Sequence, residues 1–283
     1  MVEGIHFRLC DGWASPSEVG HRALAGALSD LAAMGADVGE AYLVLGLPTD
    51  FGEQRALELV RAAGALAEQT GAVIAGGDVV SAPVLIVSVT AVGWADSATK
   101  LVGRDGARSG DLVGVTGRLG AAGAALELLS SRTDGATSAA QGPLARARHP
   151  LPRLREGRAL AAAGVHAMID LSDGLASDAA HIARASGVHL RIELAALPID
   201  GGVAEIAAKR GVPAWQLAAT GGEDSELCFC AAAADRERVE RALADVDAIP
   251  VTWIGEVLEG RAGVTLSDER GNAVRIEGYE HSF

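Results

Sequence analysis

The sequence predicts a chain of two α/β domains. Strand-like and helix-like patterns alternate through both halves. A polar, glycine-rich stretch, SATKLVGRDGARSGD at 97–111, falls between them and marks the domain boundary. With 283 residues and 49% hydrophobic content, the chain can fill one large domain or two of ordinary size.

The elements follow in order. VEGIHFRL alternates as a strand from residue 2, and Pro16 then opens a helix whose stripe is Leu24, Leu28 and Leu31, closing near Gly35. EAYLVLGLP reads as a strand, residues 53–70 as a helix ended by Gly71, and AVIAGGD as a short strand running into a turn. VLIVSVTAVGW reads as a long buried strand. Beyond the boundary come the strand LVGVTG, the glycine-opened helix RLGAAGAALELLSS, a loop over 131–150 and a helix from Pro152 to about Ala163. VHAMID is a strand, GLASDAAHIARAS a helix and HLRIEL a strand. A helix near 201–210, the strand ELCFCAA, a helix over 235–245 and the strands VTWIGEVL and GVTL complete the chain. The predicted domains are residues 1–104 and 105–283.

A net charge of −13 with no basic patch argues against a nucleic-acid partner. No stretch reads as a signal peptide or reaches transmembrane length, so no membrane is expected. Three sparse cysteines fit a reducing compartment, which makes the cytoplasm the expected location. Cys228 and Cys230 alternate in one strand and should point into the core. The two lysines, Lys100 and Lys209, do not follow a glycine, so no P-loop is present, and no dinucleotide fingerprint follows a strand. If phosphates bind, metals held by carboxylates must do the work of the P-loop lysine.

Four acidic stretches are available. In AMIDLSDGLASDAAHI, Asp170 ends a strand, where α/β ligand sites gather, and Ser172 and Asp173 stand where a helix begins. Helix cap and metal ligand are both open readings there, while Asp178 reads as solvated or structural. In SDLAAMGA, Asp30 shares a helical face with Ala23, Ala27, Ala33 and Met34; a helix-edge acid reaching solvent is the plain alternative. In AGGDVV, Gly76 and Gly77 allow a close backbone approach and Asp78 follows, although an ordinary Gly-Asp turn is the plainer reading. GGEDSEL places Glu223, Asp224 and Glu226 after two glycines, more acid than a turn needs, with a solvated loop as the open alternative.

Together and in order, VEGIHF, ALSDLAAMGA, AGGD, the GD…VTG-x-LG segment, IDLSDGL-x-x-D, GGED-x-EL and the final GYEH resemble the thiamine-monophosphate kinase family over residues 2–281. That family belongs to a superfamily with aminoimidazole ribonucleotide synthetase and selenophosphate synthetase. The resemblance implies their two-domain α/β (α+β type) architecture, a homodimer, and ATP with Mg²⁺ between the domains. It implies that Asp30, Asp78, Asp170 and Asp173 are metal ligands, and that Gly77, Asp78, Arg104 and Ser172 contact ATP. His6, Glu223 and Tyr279 would line the pocket for thiamine monophosphate. The implied reaction is in-line transfer of the ATP γ-phosphoryl to thiamine monophosphate, without a general base. A sister ATP-dependent synthetase, or a non-catalytic nucleotide or thiamine-phosphate binder, are the alternatives. Val79, Val80 and Ser225 stand where the family commonly has two threonines and a tyrosine. Family acids preceding VEGIHF have no counterpart here, so the N-terminal domain is expected to lack its beginning and the chain to turn over poorly.

Overall fold

The computed structural model describes residues 13–130, 138–246 and 249–276. The strand expected at VEGIHFRL therefore lies outside the described residues, as do His6 and Tyr279. Helix α1 (Pro16–Ala33) begins as its sequence requires. Ser15 and Glu18 form a reciprocal capping box, and Pro16 takes a position where no backbone N–H is needed. Strand β1 (Asp37–Leu47) follows, then helix α2 (Glu53–Thr70), which Gly71 ends in the left-handed region at φ 78°. Strands β2 (Val73–Ser81) and β3 (Ile86–Trp94) flank β1 in the order β2-β1-β3, β2 parallel and β3 antiparallel to it.

Only one face of this small sheet is covered. Ala41, Leu43 and Leu45 of β1 point down onto Leu24 and Leu28 of α1 and Leu59, Ala63 and Leu66 of α2. The alternate residues Tyr42 and Val44 face out. This corrects two expectations. The β3 run reads as buried yet is half-exposed, because its sheet has a single covered face and Ser88 and Thr90 lie opposite Val44 and Tyr42 on the open one. The Gly-Gly-Asp segment is not a turn either, since β2 runs on through it and pairs with β1 as far as Leu47 and Ser81.

The second half is built on a seven-stranded sheet. Its elements are β4 (Asp111–Thr116), α3 (Ala121–Ser130), α4 (Ser138–Arg148), α5 (Leu154–Ala162), β5 (Ala167–Asp170), α6 (Leu175–Ser186), β6 (His189–Glu193) and α7 (Gly201–Arg210). After these come α8 (Ala214–Thr220), β7 (Leu227–Ala232), α9 (Arg236–Ala244), β8 (Val251–Leu258), β9 (Gly263–Ser267) and β10 (Ala273–Val274). The strand order is β10-β9-β6-β8-β4-β7-β5, antiparallel except for the β6–β9 pair. Strand β7 shows how the sheet divides its apolar residues. Cys228 and Cys230 turn toward Ile182 and Ala179 of α6, while Leu227, Phe229 and Ala231 turn to the opposite core. Burial pushes the Cys228 thiol up to about 12, so it behaves as a small apolar group.

Helix α4 corrects the loop expected over 131–150. Its Gly142-Pro143 pair reads locally as a turn, but tertiary contacts decide: Arg146 Nη2 donates to the Arg118 carbonyl at 2.5 Å. The short α8 also went unpredicted; it buries Leu217, Ala218 and Ala219.

One feature sets the site. The core beneath the small sheet does not stop at the first half. Leu154 and Leu160 of α5, Leu227 and Phe229 of β7, and Val239 and Leu243 of α9 belong to the same apolar cluster as Leu24 and Leu28. Helices α1 and α5 meet backbone to backbone, since a Cβ on Gly157 would collide with the Ala32 carbonyl. The C-terminal end of α1 is thereby fixed against the second half.

Candidate active site

Three segments converge at that junction. Arg22, Gly26, Ser29 and Asp30 fall at i, i+4, i+7 and i+8 of α1 and form one wall of a pocket of about 170 Å³. Asp170 at the end of β5, with Leu171 and Ser172 after it, forms the second wall. Glu223 and Ser225 from the loop before β7, with Pro150, close the third. The pocket thus unites four residues singled out in sequence: Asp30, Asp170, Ser172 and Glu223. Sequence reasoning missed Arg22, Gly26 and Ser29. For Arg22 and Gly26 the signal was the four-residue spacing back from Asp30, on a face read as small and apolar.

The carboxylates are crowded. Asp170 is 7% exposed, and burial followed by the charge of Asp30 pushes it up to about 6; the neighbouring Ser29 hydroxyl tempers that rise. Burial also raises Asp30, against the pull of Arg104, which lies exposed nearby. Asp178 is not solvated. It is 1% exposed and accepts the backbone N–H groups of Ser172 and Asp173, each at 3.1 Å. Burial and then the charges of Asp170 and Asp173 push it up to about 8. The helix-cap reading is corrected as well. The N-cap of α6 is Gly174 at φ 99°, with no side-chain cap, so Asp178 reaches back to hold the turn and leaves the Ser172 and Asp173 side chains available. Half-buried Asp173 brings a carboxylate oxygen within 4.8 Å of ligand atoms on Asp178 and His181.

A buried carboxylate such as Asp170, pushed up by burial and by the charge of Asp30, suits a hard divalent cation, which would offset the charge its burial leaves uncompensated. Asp30 and Asp170 across the pocket, with Asp173 beside them, could hold such an ion.

The acids of GGEDSEL separate by role. Asp224 accepts from the Gly120 and Ala122 N–H groups at 2.6 and 3.1 Å, at the N-terminus of α3. Glu226 is fully buried in an ion pair with Arg153. Glu223 alone turns to the pocket. Its N–H donates to the Ser172 carbonyl at 3.1 Å, and its backbone sits in the left-handed region at φ 64°, with Ser225 at 54°. Gly222 has no room for a Cβ, which would strike that same carbonyl.

Asp78 and Gly77 are not brought to this pocket. Asp78 lies opposite Val44 on the open face of the small sheet, its Oδ1 accepting from the Val79 N–H at 2.8 Å. Gly77 has a packing reason to be glycine, because a Cβ there would meet the Leu43 carbonyl.

Gly26 sits inside α1 with nothing within 4 Å of where a Cβ would stand. Gly26→Ala should therefore raise stability by roughly 0.5–1 kcal/mol, a Tm gain of about 2 °C for a chain this long. Differential scanning calorimetry checks this, and a fall in Tm would show that the helix needs the bare backbone.

Comparison with known proteins gives a consistent picture. Residues 1–95 match the family model for the AIR synthase related protein N-terminal domain, and residues 108–267 match its C-terminal domain. The chain is 36% identical over 274 residues to thiamine-monophosphate kinase of Mycobacterium tuberculosis, covering 95% of this chain and 75% of the relative. It is 33% identical over 288 residues to the Bacillus subtilis enzyme of that name, covering 99% and 86%. Among solved structures, AaThiL complexed with AMPPCP and TMP superposes with a TM-score of 0.87 at 30% identity, covering 99% of this chain and 84% of that one.

Proposed function

Because this chain belongs to the AIR synthase related family, and within it to the thiamine-monophosphate kinases, we propose that it transfers the γ-phosphoryl of ATP in line to the phosphate of thiamine monophosphate. The products are thiamine diphosphate and ADP. The observation that carries this reading is the convergence of Asp30, Asp170, Ser172 and Glu223, four residues scattered along the sequence, on one pocket. The relatives' names and the ligands of the AaThiL complex support the two substrates.

The chain's own groups fit that chemistry. A phosphate monoester has its second pKa at about 6 and is largely a dianion at neutral pH, so it needs no base to become a nucleophile. Asp30, Asp170 and Asp173 would hold Mg²⁺ at the pocket, and Asp78, on the small sheet, would hold a separate ion. Such an ion, when bound, relieves repulsion between two polyanions. Ser172, Arg104 and Gly77 would contact ATP, and Glu223 would face the thiamine cation. The division of the chain near 104/105 remains part of the proposal, supported by family models that end at 95 and resume at 108. So does a cytoplasmic location; among the described residues no helix is long and apolar enough to cross a membrane.

Incubating the protein with ATP, Mg²⁺ and thiamine monophosphate should yield thiamine diphosphate and ADP in equal amounts. Absence of product, or equal phosphorylation of unphosphorylated thiamine, would refute the reading. A homodimer through the open face of the small sheet is supported by exposed Tyr42, Val44, Val80 and Trp94. Val44→Lys should then shift the protein to monomer in light scattering. A Val44→Lys protein that keeps the native mass would count against that face.

A further inference from the structure

We propose that Arg22 and Glu223 form an ion pair that the substrate displaces, Arg22 taking the acceptor phosphate while Glu223 takes the organic cation. The inference rests on the reading of thiamine monophosphate as acceptor and adds a residue and a selection rule to it. The Arg22 guanidinium of α1 pairs with the Glu223 carboxylate across the junction of the two halves; their side chains are 12% and 32% exposed. Both line the same pocket, and Arg22 is the cation among its described lining residues. Every other charged group on those walls is a carboxylate, so a phosphate dianion entering the pocket meets one attractive side chain.

The pair is built to open without collapse. Arg22 also donates to the Ala147 carbonyl at the end of α4, a contact that holds the guanidinium in the wall after Glu223 leaves. Burial lowers Arg22 to about 10, which leaves it charged at neutral pH but poorly solvated. Glu18 pulls the other way, and exchanging Glu223 for a phosphate keeps negative charge beside the guanidinium. Along α1, eight residues separate Arg22 from Asp30, a rise of about 12 Å. Gly26 stands between them with no side chain. A phosphate held by Arg22 over Gly26 would lie between the cation and the carboxylates proposed to carry the metal.

The selection rule follows from charge. A ligand bearing both a phosphate and a cationic ring exchanges one internal ion pair for two. A cation without phosphate would pull Glu223 away and bring Arg22 no anion in its place, so unphosphorylated thiamine should bind more weakly than its phosphate. Arg22→Gln removes both the phosphate contact and the competitor for Glu223.

The test is calorimetric titration, in the presence of a non-hydrolysable ATP analogue, of thiamine monophosphate and of thiamine into wild-type, Arg22→Gln and Arg22→Lys protein. We expect Arg22→Gln to weaken thiamine monophosphate by about 30-fold, as expected for losing charge-assisted hydrogen bonds. Thiamine should bind this variant as well as it binds wild type, or better, and the ATP analogue should be unaffected. Arg22→Lys should recover part of the loss, lacking the two-pronged fork. Unchanged affinity for thiamine monophosphate in Arg22→Gln overturns the inference alone, and so does an equal loss for both ligands. If Arg22→Gln fails to fold, Arg22→Lys decides by the same comparison: a loss confined to thiamine monophosphate supports the exchange, an equal loss refutes it. Wild-type protein that binds the ATP analogue but neither thiamine compound overturns the substrate reading, and the inference with it.

Discussion

Asp170→Asn is expected to cut turnover by about a thousandfold, the scale of losing several kcal/mol of transition-state charge stabilisation, while making the metal-free protein more stable. Asp170 is buried beside Asp30, and its pKa is raised to about 6. A raised carboxyl pKa contributes stability that is present below the unfolded value of about 3.9 and is lost as pH rises through about 6. At pH 7 wild type therefore carries an uncompensated charge costing on the order of 2 kcal/mol, which asparagine removes without changing shape. Thermal melts without metal should show wild type losing stability between about pH 4 and 6.5 and the variant losing less. Adding Mg²⁺ should raise the wild-type Tm and leave that of the variant nearly unmoved. A variant that melts lower at pH 7 yet turns over normally would make Asp170 a structural residue and nothing more.

The second large effect is on folding. Glu226 is 0% exposed and accepts from Arg153 Nε and Nη2 at 2.8 and 2.6 Å and from Thr116 Oγ1 at 2.7 Å. Arg146 lies a further 3.5 Å from its Oε1. Arg153→Met would strand a buried carboxylate with too few donors, a loss of about 3–5 kcal/mol and a Tm decrease of about 10 °C. The Glu226 carbonyl also receives the Leu171 N–H at 2.8 Å, so the same change should disturb the turn carrying Ser172. Arg153→Met combined with Glu226→Met should recover most of the stability, because the stranded charge is gone. If the double variant loses as much as the two single losses summed, the pair acts through separate contacts.

These residues also show what can be read from a sequence. IDLSDGL was legible as a strand-to-helix turn because its governing contacts are local, Asp178 reaching back only five and six residues. Helices α1 and α2 were legible for the same reason, through a proline, a leucine stripe and closing glycines. GGEDSEL was not. Asp224 answers to N–H groups more than a hundred residues upstream and Glu226 to Arg153, seventy-three residues away. Nothing within the heptapeptide distinguishes those structural acids from Glu223. Helix α4 was hidden behind Gly142-Pro143, and β3 looked buried because composition reports how apolar a strand is, not how many of its faces are covered.

The apolar cluster shared by α1, α5 and α9 also bears on how the chain comes apart. Excising either half at residue 104 would bare Leu154, Leu160, Val239 and Leu243 on one fragment and Leu24 and Leu28 on the other. Neither fragment should behave as a soluble module, and separately expressed halves should find each other through those faces. In the calorimeter the intact chain should then melt as one cooperative block, with no lower-temperature shoulder from the three-stranded sheet. Loss of the pocket and loss of the fold become the same event.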